Sequence, residues 1–383
     1  MTIILPKFIS LDSSTLGQMS SDFWSNSKER RDRVHRTIEE LLELSIHITL
    51  CFTHISELLR HEDNSIAQER FSFLRGLPMI AWIKPYCGNW FVGGTLDLIT
   101  YELHEFVHES TRGWSNVIRQ VRPKILETGV GEDMFGQSPE IWEFVRSHCR
   151  RQLLDEIAVS SIARTDPYGA SKTKLSEYGP VDSLPNVGAD RQIRELENLK
   201  RELEIDILSH GDSRASVSEA ASVICNLVIS DTRAVMMRGG DPYQALIKRY
   251  GIPARFVRRD MTITELASLA VYVAHLETIQ QYLRPSKKLS ASDVPPDSLP
   301  SMVLQRALAR EQRQADRVSG SDLGDAELIM LALYLDAVEL DKRTHSHVQK
   351  ICCKSTGIKQ VLGSVFRSSE YCGIGRQMRE LFN

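Results

Sequence analysis

Residues 319–343, SGSDLGDAELIMLALYLDAVELDKR, form the stretch on which the predicted fold depends. Apolar side chains recur at i, i+3, i+4 and i+7 between Leu328 and Leu335, which is the spacing of one helix face. The other faces of this segment are apolar as well, so we predict a helix over about 325–335 that is buried nearly all round. A short β-prone run begins at Ala337 and ends at Asp341, and it predicts a buried strand.

Carboxylates stand at both ends of this helix and strand. Asp322 and Asp325 lie one turn apart at the start of the helix, where unpaired amides and the helix dipole favour negative charge. Asp341 ends the strand and precedes the basic residues Lys342 and Arg343. A strand that brings a carboxylate to its carboxyl edge is how open α/β sheets build sites. A helix cap followed by a solvated strand end also explains these residues, so the pattern leaves both interpretations open.

A matching pattern occurs near the amino end of the chain. Residues 7–12, KFISLD, predict a first strand that runs into Asp12 and the small hydroxyl residues after it. Residues 48–52, ITLCF, predict a second strand, and the helix that follows has Glu57 near its first turn. Residues 79–83, MIAWI, predict a third strand of the same sheet.

The order of these acidic positions resembles that of the PIN-domain nucleases. In that family an Asp ends the first strand, a Glu lies in a helix after the second, an Asp opens a late helix and a last Asp ends the following strand. The resemblance covers about residues 5–85 and 300–365, and it implies catalytic carboxylates that hold a metal ion. The matching positions are Asp12, Glu57, Asp325 and Asp341, with Asp322 in support.

Two features depart from the family pattern. Many PIN domains have Thr or Ser two residues before the last Asp, whereas this chain has Glu339, which either adds a metal ligand or points away from the site. About two hundred residues also separate the two halves. We therefore predict an α/β fold in which a PIN-like sheet flanked by helices is formed by 1–88 and 300–383 and is interrupted by a mostly α-helical insertion at 89–299.

The composition is that of an ordinary soluble protein. The chain has 383 residues, 42% of them hydrophobic, and a formal net charge of −3, which suits two or three domains. Near-neutral charge argues against a generally cationic nucleic-acid binder but allows local basic patches. Seven cysteines form neither a C-x-x-C pair nor a zinc spacing, which is typical of reduced thiols. With no basic leader and no long apolar run, we expect a cytoplasmic protein that does not span a membrane.

The predicted insertion contains two candidate contact regions. Basic side chains interleave with aromatic ones, a spacing that suits phosphate contacts and base stacking, although a solvated basic loop gives the same pattern. These residues are Lys248, Arg249, Tyr250, Arg255, Phe256, Arg258 and Arg259. Apolar residues spaced like a coiled-coil seam predict either a bundle helix or a contact with a second copy or a regulatory partner. These residues are Leu196, Leu199, Leu203 and Ile207. Thr262 and Glu265 are spaced as a capping box that opens a helix ending near Tyr282.

Several carboxylates converging at one sheet edge require a cation, and hard oxygen ligands favour Mg²⁺ or Mn²⁺. We therefore predict a metal-dependent nuclease that hydrolyses phosphodiester bonds, and the resemblance implies RNA as the favoured substrate. Lys342 and Arg343 are well placed to hold a substrate phosphate. Two alternatives stay open: a DNA endonuclease, and a catalytically inactive PIN-like protein that binds or regulates a partner. A large helical insertion also fits a nuclease that its own helices restrain, as in toxin or antiviral defence, although the sequence shows no trigger.

Overall fold

The structure is a computed structural model. It describes residues 5–87, 92–107, 112–135, 143–150, 174–177, 198, 200–202, 204–205, 247–248, 251–283, 289, 293–313 and 321–382. Within these ranges, positions 263, 264, 267, 282, 283, 313 and 321–323 are described by their backbone alone. The chain divides into two compact units. The first contains Met1–Arg151, Asp297–Gln312 and Ser321–Asn383, and the second contains Gln152–Pro296 and Arg313–Gly320.

A six-stranded mixed sheet lies in the first unit. Its strands are β1 (Lys7–Ser10), β2 (Ile46–Leu50), β3 (Ile80–Ile83), β4 (Leu126–Gly129), β5 (Ala337–Glu339) and β6 (Ser364–Phe366). They lie in the order β4-β3-β2-β1-β5-β6, and every neighbouring pair is parallel except β3 with β4. The predicted α/β class is confirmed, and so are the strands predicted near residues 7–12, 48–52, 79–83 and 337–341.

Helices flank this sheet, and α8 belongs to the second unit. Their bounds are α1 (Ser13–Phe23), α2 (Lys28–Glu43), α3 (Phe52–Leu59), α4 (Asn64–Arg75), α5 (Thr95–Val107), α6 (Trp114–Ile125), α7 (Gly131–Phe135), α8 (Ile263–Leu283), α9 (Pro300–Arg313), α10 (Ser321–Leu331), α11 (Lys342–Lys354), α12 (Thr356–Val361) and α13 (Ile374–Phe382). The helix expected over 325–335 is therefore α10, which begins and ends four residues earlier than predicted.

Two apolar clusters cover the two faces of the sheet. Because successive side chains of a strand point to opposite faces, Ala337 belongs to one cluster and its neighbour Val338 to the other. The first cluster contains side chains of α1 to α4, and the second contains side chains of α5, α6 and α9 to α12. Central strands covered on both faces are apolar throughout, as all four residues of β3 are.

The first compact unit extends past the boundary at residue 88 that the sequence suggested. The reason is that β4 pairs antiparallel with β3, and α6 contributes Val117 and Val121 to the second apolar cluster. The described residues between 92 and 150 therefore belong with the first unit.

The second unit has its own small core, in which Leu175, Ile247 and Ile252 pack with residues at the start of α8. The predicted capping box is confirmed, because the amide of Thr262 donates to Glu265 Oε2 at 3.0 Å and the amide of Glu265 donates to Thr262 Oγ1 at 3.3 Å. The predicted seam at Leu196, Leu199, Leu203 and Ile207 lies outside the described residues. Within the described ranges, no helix has the length and apolar character needed to cross a membrane.

Candidate acidic site at the carboxyl edge of the sheet

Two of the predicted acidic residues lie where a parallel strand ends and a helix begins. Asp12 follows β1 and is the N-cap of α1, where its Oδ1 accepts a hydrogen bond from the amide of Ser14 at 2.7 Å. Asp341 follows β5 and is the N-cap of α11, where its Oδ1 accepts from the amide of Thr344 at 2.6 Å. Since β1 and β5 are adjacent and parallel, both carboxylates lie at the same edge of the sheet. The two residues cap helices and also bring charge to this edge.

Glu57 reaches the same edge from α3, which begins directly after β2. Its side chain is 18% exposed and lies 3.8 Å from Arg60. A methyl group on Gly324, in the first turn of α10, would lie 2.1 Å from Glu57 Oε1. The glycine therefore allows α10 to pack directly against this carboxylate. A second contact joins the same helices, because Thr53 Oγ1 donates to Glu327 Oε2 at 2.5 Å.

Asp325 is the most deeply placed of the four carboxylates, with 8% of its surface exposed. Its Oδ2 accepts a hydrogen bond from Thr344 Oγ1 at 3.0 Å. Burial raises the pKa of Asp325 to about 7, and the negative charges of Asp341, Asp12 and Glu57 contribute to that rise. The other three predicted carboxylates therefore lie within electrostatic range of Asp325. The backbone of Asp322 lies in α10, and its side chain falls outside the described part of the structure.

Thr344 connects two of these carboxylates. Its amide binds Asp341 and its hydroxyl binds Asp325, and the residue is fully buried. The sequence interpretation did not include Thr344. Its position three residues after an N-cap Asp is the local signal for the first of these bonds.

A buried histidine, His54, contacts the segment before Asp12 and was not predicted from the sequence. The Nδ1 of His54 accepts from the amide of Cys51 at 3.0 Å, and its Nε2 donates to the carbonyl oxygen of Leu11 at 3.0 Å. Burial lowers the pKa of His54, which agrees with a neutral ring that has one donor and one acceptor nitrogen. His54 therefore ties the end of β2 to the residue that precedes Asp12.

Glu339 does not point away from the site into solvent. Its side chain is 3% exposed, and its Oε2 accepts from the amide of Asp12 at 3.1 Å. The side chain of Thr15 and the backbone of Ser368 also favour its ionised form. Burial raises the pKa of Glu339 to about 7.

The predicted basic contacts are divided between the two compact units. Lys342 and Arg343 lie in the first turn of α11, next to Asp341, and Lys342 is exposed. The other group belongs to the second unit, where Arg255, Arg258 and Arg259 are all exposed. In that unit the guanidinium of Arg255 lies 4.8 Å from the ring centre of Phe256, and Arg258 lies 3.1 Å from Asp260. Arg249 and Tyr250 fall outside the described residues.

Among the side chains that the structure describes, no group of three or more His, Cys, Asp or Glu residues is arranged to hold a metal ion. Comparison of the chain with protein-family models, with curated proteins and with solved structures finds no match.

Proposed function

We propose that this chain is a PIN-like, metal-dependent nuclease that hydrolyses phosphodiester bonds in RNA. The observation that carries the proposal is the burial of Asp325 among the charges of Asp12, Glu57 and Asp341, which raises its pKa to about 7. Burying a carboxylate near three others is costly unless a cation compensates them. Such a cluster is more often built for chemistry than for stability.

The topology supports the PIN-like part of the proposal. Asp12 comes after β1, Glu57 lies in α3 after β2, Asp325 lies in the second turn of α10 and Asp341 comes after β5, an order that agrees with the family pattern. Sites in open parallel sheets form at the carboxyl ends of the strands. We further propose that the second compact unit is a helical insertion into this nuclease, with its exposed Arg255, Arg258 and Arg259 contacting the phosphates of the substrate.

The chemistry of the donors suits a hard divalent cation, although the described side chains are not yet gathered into a metal site. Carboxylate oxygens are the ligands that Mg²⁺ and Mn²⁺ prefer. Burial is the main cause of the raised pKa of Asp325, and a cation would offset the repulsion from the neighbouring carboxylates that adds to it. The residues that would hold the ion are Asp12, Glu57, Asp325 and Asp341, with Asp322 in support. When bound, such an ion activates water and stabilises the charge that develops on the phosphate.

The other residues of the site orient these ligands and bind the substrate. Thr344 holds Asp325 and Asp341 in fixed orientations through its hydroxyl and its amide. His54 holds the backbone before Asp12 through the carbonyl of Leu11. Lys342 and Arg343, beside Asp341, supply positive charge for a phosphate group of the RNA.

Replacing single carboxylates with amides tests the proposal. Purified wild type, Asp12→Asn and Asp341→Asn are incubated with labelled single-stranded RNA or DNA in Mn²⁺, Mg²⁺ or EDTA. We expect cleavage of RNA that needs the metal and falls by about 100-fold or more in both variants. Asn preserves an N-cap nearly as well as Asp does, so the loss reflects charge rather than helix stability.

Asp63→Asn is the matched control. Asp63 is the N-cap of α4, and its side chain accepts from the amide of Ser65 at 2.7 Å, the same bond that Asp12 makes at the site. This variant should cleave RNA at the wild-type rate. An Asp12→Asn protein that cleaves as fast as wild type would contradict the proposal. Preferential cleavage of DNA would favour the endonuclease alternative, and absence of divalent-metal binding by calorimetry would favour an inactive binding or regulatory protein.

A further inference from the structure

Glu339 joins three segments of the chain at the acidic edge of the sheet. It is the last residue of β5 and lies two residues before Asp341. Its carboxylate accepts a hydrogen bond from the amide of Asp12, and the side chain of Thr15 and the backbone of Ser368 lie close enough to favour its ionised form. These three partners belong to the turn after β1, the first turn of α1 and the segment after β6.

The contacts fix the spacing between two of the proposed metal ligands. Asp341 continues the strand that ends at Glu339, whereas Asp12 is held through its own amide by Glu339 Oε2 at 3.1 Å. The bond therefore sets the position of the Asp12 backbone relative to β5. This carboxylate is only 3% exposed and faces these protein groups, which leaves its oxygens little access to an ion.

We propose that Glu339 is a positioning residue, which acts on the reaction by holding Asp12 in register with Asp341. The inference rests on the proposed nuclease function for its effect on catalysis, but the bond to the Asp12 amide can be tested without any activity. Side chains that orient metal ligands typically change metal affinity or activity by about 10- to 100-fold when they are replaced.

Two variants of Glu339 and one neighbouring control separate this role from others. Glu339→Ala removes the acceptor for the Asp12 amide, and Glu339→Gln keeps one oxygen that can accept from it. Val338→Ala is the control, because Val338 is also fully buried on β5 but its side chain packs in the second apolar cluster. It lowers stability without touching the turn that contains Asp12.

Hydrogen exchange measured by mass spectrometry gives the first result. In Glu339→Ala, the peptide that covers residues 11–16 should exchange faster, while peptides of β2 and β3 keep the wild-type rate. In the nuclease assay, kcat should fall about 10- to 100-fold and the Mn²⁺ concentration for half-maximal cleavage should rise, with little change in KM for RNA. Glu339→Gln should keep part of the exchange protection and part of the activity that Glu339→Ala loses. Val338→Ala should keep the wild-type exchange in this peptide and the wild-type metal requirement.

Two outcomes would overturn the inference. Unchanged exchange at residues 11–16 in Glu339→Ala, or in Glu339→Thr if the alanine variant does not fold, would show that the bond to Asp12 does not hold the turn. A Glu339→Gln protein that is as inactive as Asp12→Asn but exchanges normally would make Glu339 a metal ligand instead. If wild type cleaves neither RNA nor DNA, the proposed function fails, and the exchange result still decides whether Glu339 positions Asp12.

Discussion

Replacing Glu102 with Gln should flatten the pH dependence of stability of the first compact unit. Glu102 lies on α5, is fully buried and is far in sequence from its partners. Its carboxylate accepts from the amide and hydroxyl of Ser301, at the start of α9, and from the hydroxyl of Tyr334 at 2.5 Å. Despite these donors, burial raises the pKa of Glu102 to about 7.

The magnitude follows from the difference between the folded and unfolded pKa. The folded value of about 7 lies about 2.5 pH units above the ordinary 4.5, and about 1.4 kcal/mol per unit gives about 3 kcal/mol. Because the folded state holds the proton more tightly, this contribution is fully present below pH 4.5. It is lost as the pH rises to about 7. The amide side chain of the Glu102→Gln variant would not titrate, so the variant should lack this loss.

Urea unfolding followed by tryptophan fluorescence measures the effect, because all five tryptophans lie in the sequence of the first unit. We expect the free energy of unfolding of wild type to fall, relative to Glu102→Gln, by about 3 kcal/mol between pH 4.5 and 7.5. A constant offset between the two proteins reflects the altered hydrogen bonds and has no bearing on the prediction. Parallel pH curves for the two proteins would refute the reasoning, because Glu102 would then be ionised in the folded state at the same pH as in the unfolded chain.

Two glycines give further predictions. Gly324→Ala should displace Glu57, since its methyl would lie 2.1 Å from Oε1, and should reduce metal-dependent cleavage about 10-fold. Alanine favours a helix by about 1 kcal/mol relative to glycine, so the variant should not lose stability from its backbone. If its free energy of unfolding fell enough to account for the lost activity, the displacement of Glu57 would not be the explanation. Gly373→Ala, with no atom within 4 Å of the added carbon, is the control. Gly363→Ala should cost about 2 kcal/mol of stability in urea unfolding, because its methyl would lie 2.3 Å from a backbone carbonyl oxygen; wild-type stability would contradict this estimate.

The buried centre of the sheet could be predicted from the sequence, but its edges could not. Strands β1, β2, β3 and β5 are covered on both faces or nearly so, and their apolar runs reflect that burial. The antiparallel edge strand β4, with the sequence LETG, is only partly buried, and β6 has three partly buried residues. Short, half-exposed edge strands give little apolar pattern, so neither was predicted.

The end of α10 shows why an apolar period can overrun a helix. The spacing continues to Leu335, but the helix ends at Leu331 and the next residues form successive turns. These turns are closed by bonds such as that from the amide of Leu333 to the carbonyl of Met330. All the residues from 332 to 335 are buried. The apolar spacing therefore predicted their burial correctly but predicted the wrong backbone conformation.

The acidic residues of the site could be predicted because strand ends determine where they lie. Asp12 and Asp341 each come two residues after a strand ends, and a parallel sheet brings such positions to one edge. The partners of Glu339 and His54 depend on side-chain directions across segments far apart in sequence. A single sequence does not specify those directions, so the contacts of both residues became visible only in the structure.

The pairing of β1 with β5 has a consequence for the synthesis of this protein. The amide of Phe8, in β1, donates to the carboxylate of Asp336, which lies 328 residues later in the chain. At about 10 residues per second, the ribosome takes roughly half a minute to make the intervening chain. During that interval one edge of β1 has no strand beside it, and such an edge is open to pairing with other chains. Asp341 has not yet been synthesised during this time, so it cannot lie near Asp12. A growing chain therefore cannot assemble the complete acidic site until the segment containing β5 has left the ribosome.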